Sequence, residues 1–295
     1  MWRRVSSKRR VAGLTAPCAV CAALLLLLAV TPAGAAELQV VQIALHQYEG
    51  GPPLPGAHEF FPGESVFLSF RIAGFTLSKE DAIHLAYRIR AVDPDGVPLA
   101  EPLVAEIREE VTPQDKESEW LPIVRYDVQA PIGAPTGDYQ LLIHVSDELA
   151  ATKAEAAVRF RVLGRDVEPS DTLVIRNFHF YRTESAPQPL PYPAYRPGDS
   201  VWSRFDITGY RFGANNQLHI DYGITVLRAS GKVLFEQPVA AEEKRNSFYP
   251  QRYIQGAFSL NLTPDLAAGE YAIVVTVRDH IGGQTHEARA VFHVR

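Results

Sequence analysis

The 295-residue chain contains two copies of one pattern, and this duplication constrains the fold more tightly than any single motif. Phe61-Pro62-Gly63-Glu64-Ser65-Val66 aligns with Arg196-Pro197-Gly198-Asp199-Ser200-Val201, 135 positions on. The same offset pairs Phe70 with Phe205, Ile72 with Ile207, Gly74 with Gly209, His84 with His219 and Tyr87 with Tyr222. Further on the offset becomes 132, pairing Tyr139 with Tyr271, Asp147 with Asp279, Phe160 with Phe292 and Val162 with Val294.

Within each copy the apolar period is two. Val66, Leu68, Phe70 and Ile72 alternate with polar or small residues, as do Tyr139, Leu141, Ile143 and Val145, and Tyr271, Ile273, Val275 and Val277. Such alternation predicts half-buried strands. Further strands are expected over 38–45, 83–92, 123–128 and 158–162, with counterparts over 172–181, 218–227, 254–262 and 291–294. Asp93-Pro94-Asp95-Gly96 and Ala229-Ser230-Gly231-Lys232 read as hairpin turns. Six to eight short strands per copy predict an all-β chain of two tandem Greek-key Ig-like β-sandwich domains. The expected boundaries are 1–35 for a signal peptide, 36–164 for the first sandwich, 165–171 for a polar linker and 172–295 for the second.

The signal-peptide reading rests on a basic start, an apolar run over 22–30 and an Ala33-Gly34-Ala35 ending. The run is shorter than the roughly 20 residues a membrane span needs. A leader left uncleaved is therefore the one expected membrane contact. Both cysteines, Cys18 and Cys21, lie in this leader, so the remainder has no disulfide, no thiol nucleophile and no cysteine-ligated zinc. Five of the 29 basic residues also lie there, leaving 24 against 34 acidic side chains. That balance argues against nucleic acid as a partner. An exported, periplasmic or extracellular, bacterial protein is expected.

P-G-[DE]-S-V near the start, G-[DE]-Y-x-[LI] in the penultimate strand and a closing F-x-V strand resemble bacterial Ig-like or fibronectin-III-like modules. The Gly-Asp-Tyr and Gly-Glu-Tyr stretches resemble the tyrosine corner of such domains, in which the phenol bonds back to nearby backbone. The resemblance implies the fold, export and a binding or spacer role, and no particular ligand.

Gly198-Asp199-Ser200 also opens one class of serine hydrolases. Ser65 is its repeat equivalent, a Pro-Gly turn precedes it and a strand follows, so Ser200 reads as the start of a strand. The nine histidines show neither H-x-x-x-H spacing nor a carboxylate cluster, and partly buried or surface histidines are expected. Asp147 and Asp279 are kept as calcium candidates, with a turn-starting aspartate as the simpler explanation. No metal set and no cofactor motif is legible, and no enzyme is expected.

Two stretches stand out as recognition surfaces. Ala186 to Tyr195, with alternate prolines, reads as a stiff excursion covering a sheet edge, whose alternative role is to present Tyr192 and Tyr195. Lys244 to Tyr253 reads as a loop presenting Tyr249, Arg252 and Tyr253, joined by Trp202 on the strand face opposite Val201, either to stack a sugar ring or partner side chain or equally to cap the end of the sandwich core. The expected function is a non-catalytic binding, adhesion or envelope-assembly protein whose partner is a protein or polysaccharide of the cell envelope. A carbohydrate-binding accessory protein and a two-domain periplasmic chaperone are the alternatives.

Overall fold

The computed structural model describes residues 37–56 and 58–295. The leader and its cysteines lie outside the described residues. The first half contains β1 (Gln39–His46), β2 (Glu59–Phe60), β3 (Ser65–Ala73), β4 (Ala82–Val92), β5 (Leu103–Glu110), a single helical turn α1 (Pro113–Glu117), β6 (Ile123–Gln129), β7 (Gly137–Asp147) and β8 (Thr152–Val162). The second contains β9 (Val174–Tyr181), β10 (Ala194–Tyr195), β11 (Ser200–Thr208), β12 (Leu218–Arg228), β13 (Val233–Arg245), β14 (Tyr253–Asn261), β15 (Gly269–Asp279) and β16 (Gln284–Val294).

The ladders reproduce the duplication. The first half has a three-stranded sheet ordered β1-β3-β6 and a five-stranded sheet ordered β2-β8-β7-β4-β5. The second has β9-β11-β14 and β10-β16-β15-β12-β13. The ladders of Ig-like sandwiches follow this plan, with non-consecutive strands paired and all long partners antiparallel. In each half the short strand after the first one crosses to the other sheet and runs parallel to the last strand, β2 beside β8 and β10 beside β16.

Alternation places the apolar side chains between the sheets. Val66, Leu68, Phe70 and Ile72 of β3 are at most 1% exposed and face Leu85, Ile89, Leu141, Ile143 and Tyr139. Val201, Phe205 and Ile207 of β11 are sealed in the same way with Ile273, Val275, Val277 and Phe292. Each such side chain stabilises the fold by about 1.5–3 kcal/mol relative to exposure.

Both tyrosine corners form. Tyr139 Oη donates to the Pro135 carbonyl at 2.8 Å and Tyr271 Oη to the Ala267 carbonyl at 2.6 Å. Both hairpin loops form where expected, with Gly96 at φ +81° and Gly231 at φ +83°.

Two long strands run beyond what periodicity indicated. β5 and β13 are the outer strands of the five-stranded sheets; β13 is exposed along most of its length, whereas β5 alternates over half-buried Leu103, Ala105 and Ile107 and then ends in exposed charged residues. β13 also contains Pro238 in a register shift between Tyr222 and Ile224 of β12, the kind of bulge that admits proline into an outer strand. Despite their separate ladders, the two halves belong to one compact unit. Among the described residues no helix is long and apolar enough to cross a membrane.

Candidate functional site

The residues expected to form one recognition surface separate into three places. Tyr249 and Arg252 lie in the loop between β13 and β14, which reaches across to the first half. Tyr249 is 5% exposed and clusters with the buried side chains of the first sandwich. Its hydroxyl donates to Asp93 Oδ2 at 2.9 Å, 156 positions away, and Arg252 Nη2 donates to the same oxygen at 2.9 Å. Asp93 Oδ1 is occupied by the backbone N–H groups of Asp95 and Val97 at 2.9 and 2.8 Å. The hairpin turn of the first half thus presents a buried carboxylate, 2% exposed, with four donors. The second guanidinium arm of Arg252 reaches Asp95 Oδ2 at 2.5 Å.

Burial, chiefly, and the facing Asp93 carboxylate push the Tyr249 phenol far above its ordinary value. It remains a neutral donor at every physiological pH. Gln251 closes the contact: a Cβ added to Gly133 of the first half would lie 2.3 Å from Gln251 Cγ. From behind, the loop is held by Tyr210 Oη on the Gln251 carbonyl, by Thr208 Oγ1 on the Arg252 carbonyl at 3.0 Å and by Asn216 Nδ2 on the Phe248 carbonyl at 2.6 Å.

Tyr253 begins β14 and is 7% exposed. Burial raises its phenol, opposed by the neighbouring Arg165 guanidinium. Arg165 itself, at the start of the linker, pairs with fully buried Asp206 of β11 at 2.9 Å, and Asn177 Nδ2 donates to the same oxygen at 2.8 Å. The polar linker is therefore pinned to the second sandwich. Tyr249 and Tyr253 present no free ring, which corrects the ligand-stacking expectation for these two residues: their aromatic area is spent inside the joint and the core.

Tyr195 is also turned inward, at 2% exposure, because β10 pairs with β16 and its alternation sends Tyr195 into the core. Its hydroxyl donates to the Tyr181 carbonyl at 3.1 Å. The repeat carried the signal for this, since Tyr195 aligns with Phe60, buried in β2. The proline-rich excursion covers the β16 edge through β10. Tyr192, 51% exposed, remains at the surface of that excursion and stacks on His293, with ring centroids 4.9 Å apart. Trp202 is half-buried on the outer side of its sheet, across from Tyr181 and Ser259, as alternation predicted.

The chemical candidates resolve through comparison of the two halves. Ser200 Oγ donates to Asn261 Oδ1 at 2.7 Å across the β11–β14 ladder; no imidazole stands in that bond. Asp147 Oδ1 accepts from the backbone N–H groups of Leu149 and Ala150, and Oδ2 from that of Thr76 at 2.7 Å. Asp279 accepts in the same way from Ile281, Gly282 and Arg211. Both aspartates are buried turn organisers whose carboxylates accept from backbone amides, which supports the turn-starting role. Burial pushes the Asp147 carboxyl up, but the three donors together hold it below the ordinary carboxylate range.

Sequence reasoning missed a Ser–His pair. His46 Nε2 lies 2.7 Å from Ser69 Oγ, and His46 Nδ1 lies 2.7 Å from the Gly51 carbonyl. A carbonyl only accepts, so Nδ1 carries the proton and Nε2 accepts from Ser69, an arrangement resembling a nucleophile and its base. Comparison with the second half gives the pair a structural role. Its equivalents of His46, Ser69 and Gly51 are Tyr181, Arg204 and Ala186, and there Arg204 lies 3.6 Å over the Tyr181 ring and donates to the Ala186 carbonyl. Different side chains hold the same loop carbonyl, so the pair fixes the loop after the first strand.

Histidines and carboxylates do come together in the second half, against expectation. His219 and His280 stack with centroids 4.3 Å apart, His219 Nε2 meets Glu242 at 2.6 Å, and His280 and Arg278 both reach Asp221. Cross-strand neighbours on β12, β13 and β15 bring them into contact, a juxtaposition no linear spacing reveals. Among the described residues, no group of three side chains converges as a metal would require.

No protein-family model matches this chain, and no curated protein matches it. Solved structures of related arrangement include the C-terminal domain of the AgI/II polypeptide BspA of Streptococcus agalactiae, at 12% identity over 87% of this chain and 99% of that one, TM-score 0.30. The C-terminal domain of the antigen I/II-family protein AspA of Streptococcus pyogenes is 11% identical over 88% and 100%, also at 0.30. A family 123 glycoside hydrolase from Clostridium perfringens is 10% identical over 42% of this chain and 27% of its own length, at 0.28. Likeness at these TM-scores carries no argument about activity or ligand.

Proposed function

We propose that the protein is an exported, non-catalytic binding protein of the adhesion or envelope-assembly kind, whose two sandwiches act as one body toward a protein or polysaccharide of the cell envelope. The observation that supports this reading best is the joint. A buried carboxylate, a phenol and a guanidinium lock the Asp93 turn to the Tyr249 loop, so the outer surfaces of both halves keep a fixed spacing. A spacer or binding rod needs that property, and a hydrolase with a mobile cleft does not. Export rests on the leader over 1–35. The test is binding of the purified protein to immobilised envelope polysaccharide and envelope protein fractions, run beside turnover assays on ester, glycoside and peptide substrates. Saturable binding without turnover is expected; turnover abolished by Ser200→Ala or Ser69→Ala overturns the reading.

Two narrower versions differ in what supports them. A carbohydrate-binding role loses most of the tyrosine surface that suggested it, with Tyr192 and the half-buried Trp202 left. A strand-lending chaperone role is favoured by β13, which pairs only with β12 and exposes Val233, Leu234, Phe235 and Val239.

A further inference from the structure

The duplication separates side chains the fold requires from side chains it does not. One cleft of the second half, beside β10 and the end of β16, is lined by Arg182, Arg196 and Arg295 together with Tyr195 and Asp199. All three arginines are exposed. Among the described residues, none of them makes an ion pair with a carboxylate. Two are held by aromatic faces instead: Arg182 lies 5.7 Å from the Tyr195 centroid and Arg295 4.7 Å from that of Tyr192. A guanidinium stacked on a ring keeps its N–H fork free to bind an oxyanion in bidentate fashion.

The one side-chain carboxylate in the cleft is committed elsewhere. Asp199 Oδ2 accepts from the Arg196 backbone N–H at 2.8 Å, and its repeat equivalent Glu64 accepts from the Phe61 N–H at 2.9 Å. Asp199 is thus part of the duplicated turn. The arginines are not duplicated: their equivalents in the first half are Gln47, Phe61 and Leu163. The backbone around them is shared, since Leu163 N–H donates to the Phe60 carbonyl as Arg295 N–H donates to that of Tyr195. The same frame therefore forms without any positive charge. In a chain where acidic side chains outnumber basic ones, three unpaired guanidiniums gathered at one place are a local reversal of field.

We propose that Arg182, Arg196 and Arg295 form a binding site for an oxyanion group, a carboxylate, sulfate or phosphate carried by the ligand. The site rests on the binding reading above and names the ligand chemistry for it.

The test titrates the purified protein with sodium sulfate, sodium phosphate and sodium glucuronate at constant ionic strength, with glucose as the neutral control, following arginine Nε–Hε resonances by NMR. Saturable shifts of the three arginines are expected with at least one anion and none with glucose, and the relative affinities tell an inorganic-type oxyanion from a sugar carboxylate. Arg182→Gln and Arg196→Gln are each expected to weaken binding about fivefold, and the double variant to abolish it. These exposed positions tolerate glutamine, and an unchanged melting temperature verifies that the variants fold. The proposal is overturned if no anion saturates, or if the double variant binds as the parent does. Envelope binding that persists in the double variant sinks the site and leaves the binding function. Saturable anion binding without envelope binding keeps the site and sinks that function.

Discussion

Replacing Tyr249 with phenylalanine removes one oxygen from the joint and leaves its shape intact. The lost interaction is a buried hydrogen bond to a carboxylate, a class worth about 1.5–3 kcal/mol. Arg252 still donates to the same Asp93 oxygen, so the lower end applies, about 1.5 kcal/mol. For a chain of this length that lowers Tm by roughly 3–6 °C. Tyr249→Ala also empties the ring's seat among the buried residues of the first half, which raises the cost to about 3–5 kcal/mol. Differential scanning calorimetry reads both. The parent should melt in one transition, because the joint couples the halves, while Tyr249→Ala should separate the first half's melting from the second's. A double-mutant cycle with Asp93→Asn should give a coupling of about 1 kcal/mol or more. If Tyr249→Ala leaves a single transition within roughly 1 °C of the parent, or the coupling is below about 0.3 kcal/mol, the joint does not hold the halves together and the reasoning fails.

Three other outcomes follow from individual side chains. Tyr139→Phe and Tyr271→Phe should each cost about 1 kcal/mol by urea denaturation, whereas Ser200→Ala, at an exposed hydrogen bond, should stay within about 0.5 kcal/mol; equal losses at all three would remove the distinction between corner and strand start. Asp147, with its carboxyl held below the ordinary range, contributes stability that is fully present above the unfolded carboxylate value of about 3.9 and is lost as pH falls through the lower folded value. Melting followed from pH 5 down to pH 2 should show that loss, and Asp147→Asn should flatten it. Gly209 has φ +78°, and an added Cβ would sit 1.9 Å from the Thr172 carbonyl oxygen, so Gly209→Ala should destabilise by about 3 kcal/mol or more, and a neutral result would refute the turn geometry.

Legibility in the sequence followed burial. β3, β7, β11 and β15 alternate because one side of each faces the core, and the repeat fixed their correspondence. β13 escaped because an outer strand exposed along most of its length has little reason to alternate, and Pro238 counts against a strand unless an edge bulge accommodates it; β5 alternates only over Leu103, Ala105 and Ile107 before its exposed, charged end. Of the aromatic residues singled out, Tyr192 and Trp202 lie where expected, whereas Tyr195, Tyr249 and Tyr253 turn inward. Tyr195 was legible through its match to Phe60, whereas Tyr249 has no repeat counterpart and its seat is supplied by a turn 156 residues earlier. The His219–His280 contact is equally non-local, made by pairing across β12, β13 and β15.

The position of Tyr249 bears on the order in which the chain can be made. The last strand of the first half ends at Val162, yet one of that half's buried side chains is the ring at position 249. A growing chain thus completes every ladder of its first sandwich while one place in that sandwich is still vacant. The second half, arriving later, supplies the plug along with a phenol that hydrogen-bonds Asp93 and a guanidinium that neutralises it. Until then Asp93 Oδ2 lacks both of its side-chain donors, so the first sandwich is expected to gain its full stability only once the second has been made.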